Sequence, residues 1–196
     1  MGTLSISDVL THNLDRRLAD KVKTMGGHPY WYYTDYQSDV PTTLRALRWQ
    51  EFSAGRYNPA VPFILFPITD DTTAPGPQHS SIEEALEDSD ASGTRSILDI
   101  STVSPVSYEE ALEASGQGGV NLYCTTFPVT ADELNRLFNT DKPTHQMIES
   151  VIVLAQEIED VVEEFWDSIA RGMGRHILVY EDDEPAEVFF IGYSFD

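Results

Sequence analysis

Five histidines (His12, His28, His79, His145 and His176) and one cysteine, Cys124, are the side chains of this 196-residue chain best suited to nucleophilic or metal chemistry. No two histidines have the His-Glu-x-x-His spacing that sets two imidazoles and a base on one helical face. His145 and Glu149 stand four residues apart, as two metal ligands on a helix would, but no third ligand is evident and no metal site is predicted. Cys124 lies in the apolar run Leu122-Tyr123-Cys124 and reads as a small buried side chain. A lone cysteine can form neither an internal disulfide nor a multi-cysteine zinc site, and it fits a reducing compartment. Gly-x-Ser-x-Gly, the P-loop and the dinucleotide fingerprint are absent. Gly116-Gln117-Gly118-Gly119 follows a predicted helix instead of opening one, the wrong order for a phosphate cradle. An enzymatic reading therefore rests on Arg45, Arg48 and Arg56 near the aromatic run Tyr30-Trp31-Tyr32-Tyr33-Thr34-Asp35-Tyr36, where cations and rings could bind an anion. No catalytic residue and no cofactor are assigned.

Charge is more informative. The formal net charge is −21. Residues 1–56 carry seven Lys/Arg and six Asp/Glu, whereas residues 57–196 carry five and 27, so the whole excess belongs to the second part. A field of this sign repels phosphate backbones and anionic membrane surfaces, which excludes direct nucleic-acid binding and membrane attachment from the reading. Solubility alone, or adaptation to high salt, would also produce an acidic chain.

The elements that must position these groups follow from periodicity. Hydrophobic residues make up 41 % of the chain and aromatics 11 %, enough for one folded domain over 1–196. Leu10, Leu14, Leu18, Val22 and Met25 predict a helix over 6–25. The run 30–36 reads as a strand with aromatics on both faces. Pro41-Thr42-Thr43 opens a second helix that Gly55 stops, with Leu44, Leu47 and Phe52 inward. Val61 to Ile68 reads as a strand. Ser81-Ile-Glu-Glu-Ala-Leu-Glu-Asp-Ser89 then resembles Ser107-Tyr-Glu-Glu-Ala-Leu-Glu-Ala-Ser115, each a serine-capped helix leading through glycine to a strand-like run, 96–100 and 120–125. The expectation is a β-α-β-α-β middle over about 61–126 within a mixed sheet, α/β or α+β in class. Thr130 caps a short helix over Ala131–Phe138. Pro143-Thr144 opens a long C-terminal helix, about 144–171, and a terminal hairpin pairs 176–180 with 187–193 through the acidic connection 181–186. The stretch Trp49-Gln50-Glu51-Phe52-Ser53-Ala54-Gly55-Arg56-Tyr57-Asn58-Pro59 has the density of a motif, with no chemistry attached to it.

The acids of the long helix crowd the end where the helix dipole disfavours them. Solubility does not specify that position, whereas a cationic partner does. The functional expectation is a cytoplasmic, non-enzymatic binding protein of bacterial or phage origin: an inhibitor or immunity protein that neutralises a basic toxin or a nucleic-acid-handling enzyme. Its expected contact residues are Glu159, Asp160, Glu163, Glu164 and Asp167 on the helix, Glu181, Asp182, Asp183 and Glu184 in the turn, and Trp31 and Tyr33 from the aromatic run. The alternatives are an enzyme centred on Arg45, Arg48 and Arg56, and a nucleic-acid mimic from a phage or mobile element. The N-terminus lacks the basic and apolar regions of a secretory signal, and Ile6 stands where a myristoylation motif wants Ser or Thr.

Overall fold

A computed structural model describes residues 27–61, 74–115, 122–154 and 159–195. The expected first helix, 6–25, and most of the expected strand 61–68 lie outside the described residues. Strand β1 (Pro29–Asp35) places Tyr30 and Tyr32 on one face, fully buried, and Trp31 and Tyr33 on the other, half-buried. Helix α1 (Val40–Ala54) starts where Asp39 accepts the Thr42 amide at 2.6 Å, and ends at Gly55 with φ of 80°. A Cβ at Gly55 would stand 2.1 Å from the Gly76 carbonyl oxygen, so both the conformation and the close approach require glycine.

The two similar segments fold as α2 (Ile82–Ser89) and α3 (Tyr108–Ser115). Their equivalence reaches the atomic level. Ser81 and Ser107 each accept the amide of the third residue on, Glu84 and Glu110, at 3.2 Å. Ala85 and Ala111 are both fully buried, and Ser89 and Ser115 each donate back to the leucine carbonyl three residues earlier. The expected strand 96–100 is instead a 3₁₀ turn, Ile97–Asp99. Ser96 accepts the Leu98 amide, and Asp99 accepts the Thr94 amide and hydroxyl at 2.7 and 2.6 Å. These local bonds compete with strand pairing, which begins only at β2 (Thr102–Val103). The next strand, expected over 120–125, is β3 (Thr125–Pro128).

Helix α4 (Ala131–Phe138) follows, held by a reciprocal capping box between Thr130 and Glu133. The long helix expected over 144–171 is not observed. Its place is taken by α5 (His145–Ile148), a π-helical turn (Glu149–Val153) and α6 (Glu159–Asp167), with 155–158 outside the described residues. Two features oppose a regular ladder here. Ser150 bonds back to the Gln146 carbonyl at 2.8 Å, and Val151-Ile152-Val153 is a run of β-branched side chains. The Leu154 amide reaches the Glu149 carbonyl, five residues back. Helix α6 ends at Asp167, where the Ser168 hydroxyl donates to the Phe165 carbonyl.

Strands β4 (Met173–Glu181) and β5 (Glu184–Tyr193) form the terminal hairpin. The sheet order is β1-β5-β4-β3-β2, antiparallel for its first three strands and parallel from β4 to β2. The unit β2-α3-β3 is one of the expected parallel crossovers. Alternation along β5 separates two cores. Val188 and Phe190 pack with Tyr30, Leu44, Leu47 and Phe52 beneath α1, while Phe189, Ile191 and Tyr193 pack with α4, α5 and α6. The mixed sheet is thus covered on both faces.

Candidate partner-binding surface

Helix α6 exists because Val162, Phe165 and Trp166 fall on one side and bury, with Ile169 just beyond. The opposite side carries Asp160, Glu163, Glu164 and Asp167, all exposed; Glu159 opens the helix, and its side chain is outside the described residues. Arg171 and Arg175 follow in sequence and could offset charge at the unfavourable end of the dipole. Neither is committed to these carboxylates. Arg171 donates to the Phe195 carbonyl. Arg175, only 1 % exposed, turns inward and donates to both oxygens of Glu133 at 2.8 and 2.6 Å, with further bonds to Ser168 and to the Pro128 carbonyl. Burial pushes the Glu133 carboxyl up, but the Thr130 amide and the Arg175 charge outweigh it and hold the group below its ordinary range.

The second acidic region is the tip of the hairpin. The expected six-residue connection is a two-residue turn, Asp182-Asp183, with φ of 49° and 66°. Positive φ at both positions is the geometry that follows the twist of paired strands. Glu181 and Glu184 stand opposite each other across it, so four carboxylates share one tip. Lys142 bonds Asp183 at 3.1 Å, and Asp183 remains 84 % exposed. The nine residues of β4 lie between this tip and the end of α6, roughly 30 Å at about 3.3 Å per residue. The two expected contact regions are therefore separate surfaces.

The α6 acids instead border a groove. A depression of about 230 Å³ lies between α3, α4 and α6, with Leu137, Val161 and Phe165 in its floor and Glu109, Glu133 and Glu164 around it. A second depression, about 530 Å³, continues past Phe138 to Met147 and Val151. Arg136 and Leu137 line both, so the two depressions adjoin along α4 as the halves of a groove with Arg136 between them. Arg136 reaches Glu164 on α6 in an exposed pair. Sequence reasoning missed Glu109, Glu133, Arg136 and Leu137 as members of a site. One signal was available: Met147 lies outside the apolar stripe expected for 144–171, and it is 40 % exposed.

The remaining candidates are held by the fold. Tyr33 stacks on His145 at 3.9 Å between centroids and donates to Glu149 at 3.3 Å. Burial, then the Glu149 charge, pushes its hydroxyl pKa up. His145 also bonds Glu187 at 2.7 Å, so the His145/Glu149 pair serves packing, and no group of residues able to hold a metal occurs among the described residues. Trp31 packs half-buried against the same core. The three arginines of the enzymatic reading go to three partners: Arg45 to Thr42, Arg48 to the Leu98 carbonyl, Arg56 to Glu51. The dense stretch 49–59 is the joint that ties α1 to two loops. Arg56 grips Glu51 at 2.8 and 2.5 Å, and the buried Tyr57 hydroxyl accepts the Gln78 amide at 3.1 Å and meets His79 at 2.8 Å. Asn58 bonds Gly93 and Thr94.

Comparison with protein-family models, curated proteins and solved structures finds no match. Among the described residues no helix is long and apolar enough to cross a membrane.

Proposed function

We propose that the chain is a non-enzymatic acidic binding protein of the cytoplasm, an inhibitor or immunity protein that neutralises a basic toxin or nucleic-acid-handling enzyme. One observation carries this reading: the exposed acids of α6, Asp160, Glu163, Glu164 and Asp167, stand three and four residues apart on one face and repel one another, while the two arginines that follow are committed elsewhere. A placement that costs local stability, offset in part by the Arg136–Glu164 pair, is what selection for a cationic partner leaves. The hairpin tip repeats the pattern, since like charges facing each other across paired strands are unfavourable. Complementary fields of this kind accelerate association with a basic protein.

The test neutralises the α6 face: D160N, E163Q, E164Q and D167N together. Wild-type and variant chains serve as paired baits for capture from the native host at low salt. The expected result is a basic protein retained by the wild type, lost by the variant, and inhibited only by the wild type. Equal affinity of the two baits for that protein at low salt would overturn the assignment of α6. A captured partner that is acidic would overturn the electrostatic reading itself.

A further inference from the structure

We infer that the groove along α4 docks a basic amphipathic helix of the partner, and that Arg136 holds the place of that helix's cation while the groove is empty. This rests on the binding-protein reading and specifies its contact. Apolar surface for an amphipathic helix is open at Val161 at one end and at Met147 and Val151 at the other, over a base of Leu137 and Phe165 that the fold already buries. Helix-in-groove recognition uses apolar anchors at helical spacing, with flanking charges to fix the register. Acidic charge stands at the Val161 end of the groove. Glu109 and Glu164 rim the floor, and Asp160, Glu163 and Asp167 stand on the same helix as Glu164. An acidic rim on an apolar floor selects a helix with Lys or Arg beside its apolar stripe, and rejects an acidic one.

Arg136 adds a specific device. Arg136 lines both halves of the groove, and its guanidinium pairs with Glu164, both side chains being more than half exposed. An exposed pair of this kind is weak, on the order of 0–1 kcal/mol. An incoming Lys or Arg can take over Glu164 and release Arg136, which joins the two depressions into one channel. The walls need no rearrangement. From the buried floor, Arg175 ties Glu133 on α4 to Ser168 at the end of α6 and so fixes their separation.

The experiment uses the full chain and a fluorescein-labelled Leu/Lys peptide of about 18 residues, long enough to hold a helix, with leucine at helical spacing. Two controls accompany it: a scramble of the same composition, and a Leu/Glu version. Anisotropy is read at about 150 mM salt, where long-range attraction is screened. The amphipathic Leu/Lys peptide is expected to bind about tenfold tighter than its scramble, and M147E with V161E to weaken it about tenfold, the scale of an interface anchor. R136Q is expected to tighten it severalfold. K142Q, which removes the same charge at the hairpin tip, is expected to change it little. Circular dichroism confirms that each variant folds. Equal binding of peptide and scramble would overturn the groove. Equal effects of R136Q and K142Q would overturn the role of Arg136. If both occur while the α6-neutralised bait still loses its natural partner, the groove fails and the acidic binding protein stands.

Discussion

The two faces of the sheet treat polar side chains in opposite ways. Beneath α1 they are consumed. Glu51, 1 % exposed, is gripped by Arg56; Thr94 and Ser96 converge on Asp99; Tyr57 joins two loops through Gln78 and His79. On the α6 side the carboxylates are exposed, and of the neighbouring arginines Arg136 pairs with Glu164 at the surface while Arg171 and Arg175 serve other groups. The α1 face looked more like a motif in sequence, yet its residues are spent on holding the fold. The plainer acids of α6 stay exposed. Density of interesting residue types is a poor guide to a site; charge left over after the fold has taken its share is a better one.

The sharpest way to break this contrast is at Glu51. Glu51→Ala removes the carboxylate from a buried ion pair, and the expected loss is about 3–5 kcal/mol of stability in a urea titration. Asp160→Asn on the other face should change stability by no more than about 0.5 kcal/mol. Comparable losses at both positions would erase the distinction between consumed and available acids.

A second test uses pH. His176 is buried beside Thr126, and desolvation, then the Arg175 charge, pushes its pKa down to about 3. The native imidazole stays neutral while the unfolded one takes up a proton below about 6.5. The unfolded state thus binds more protons in this window, and stability falls as pH falls from about 6.5 towards 3. The expected loss is on the order of 2–3 kcal/mol by about pH 4.5, at 1.36 kcal/mol per unit. Below about 4.3 Glu133 adds to it: its folded pKa is lowered, so its contribution is present above the unfolded value and lost as pH falls through the folded one. His176→Gln should flatten the upper part of the profile and leave the lower part. A profile unchanged by the substitution would show that the interior tolerates the charged imidazole.

The α6 variant of four neutralised acids is predicted to differ in the opposite sense. These acids stand three and four residues apart on one helical face, so removing their mutual repulsion should raise stability slightly, by about 0.3–1 kcal/mol in thermal melts, net of the lost Arg136–Glu164 pair, while binding to a basic partner falls. A loss of stability would mean that these acids support the fold after all.

What was legible in the sequence follows the same division. Local chemistry was readable where one signal dominated. Gly55 stopping α1, Thr130 capping α4 and the paired apolar runs of the hairpin all emerged with nearly the observed bounds. Competition between local signals was not readable. Ser96 and Asp99 diverted a strand-like run into a turn, and Ser150 with the β-branched run 151–153 broke the register of a helix whose apolar stripe looked continuous. The groove was hidden for a different reason. Glu109, Arg136 and Val161 come from three segments that only the tertiary fold brings together. The acidic cluster was visible from composition, but its neighbours were not.

The smallest predicted effect bears most directly on why acids sit where they do. Asp182 and Asp183 occupy positive-φ positions that Asn-Gly fills with less strain. D182N with D183G also relieves the crowding with Glu181 and Glu184, at the loss of one exposed pair to Lys142 worth at most about 1 kcal/mol. The expected net result is a gain of about 0.5 kcal/mol, read as a higher urea midpoint. A chain selected only for stability has this improvement within reach. If the substitution stabilises the protein and weakens partner capture, the turn belongs with α6 among residues kept for binding. If it stabilises the protein and leaves capture unchanged, binding is confined to the α6 side, as the roughly 30 Å of strand between the two regions allows. A destabilised hairpin would place the Lys142–Asp183 pair with Glu51–Arg56, among the charges the fold has already used.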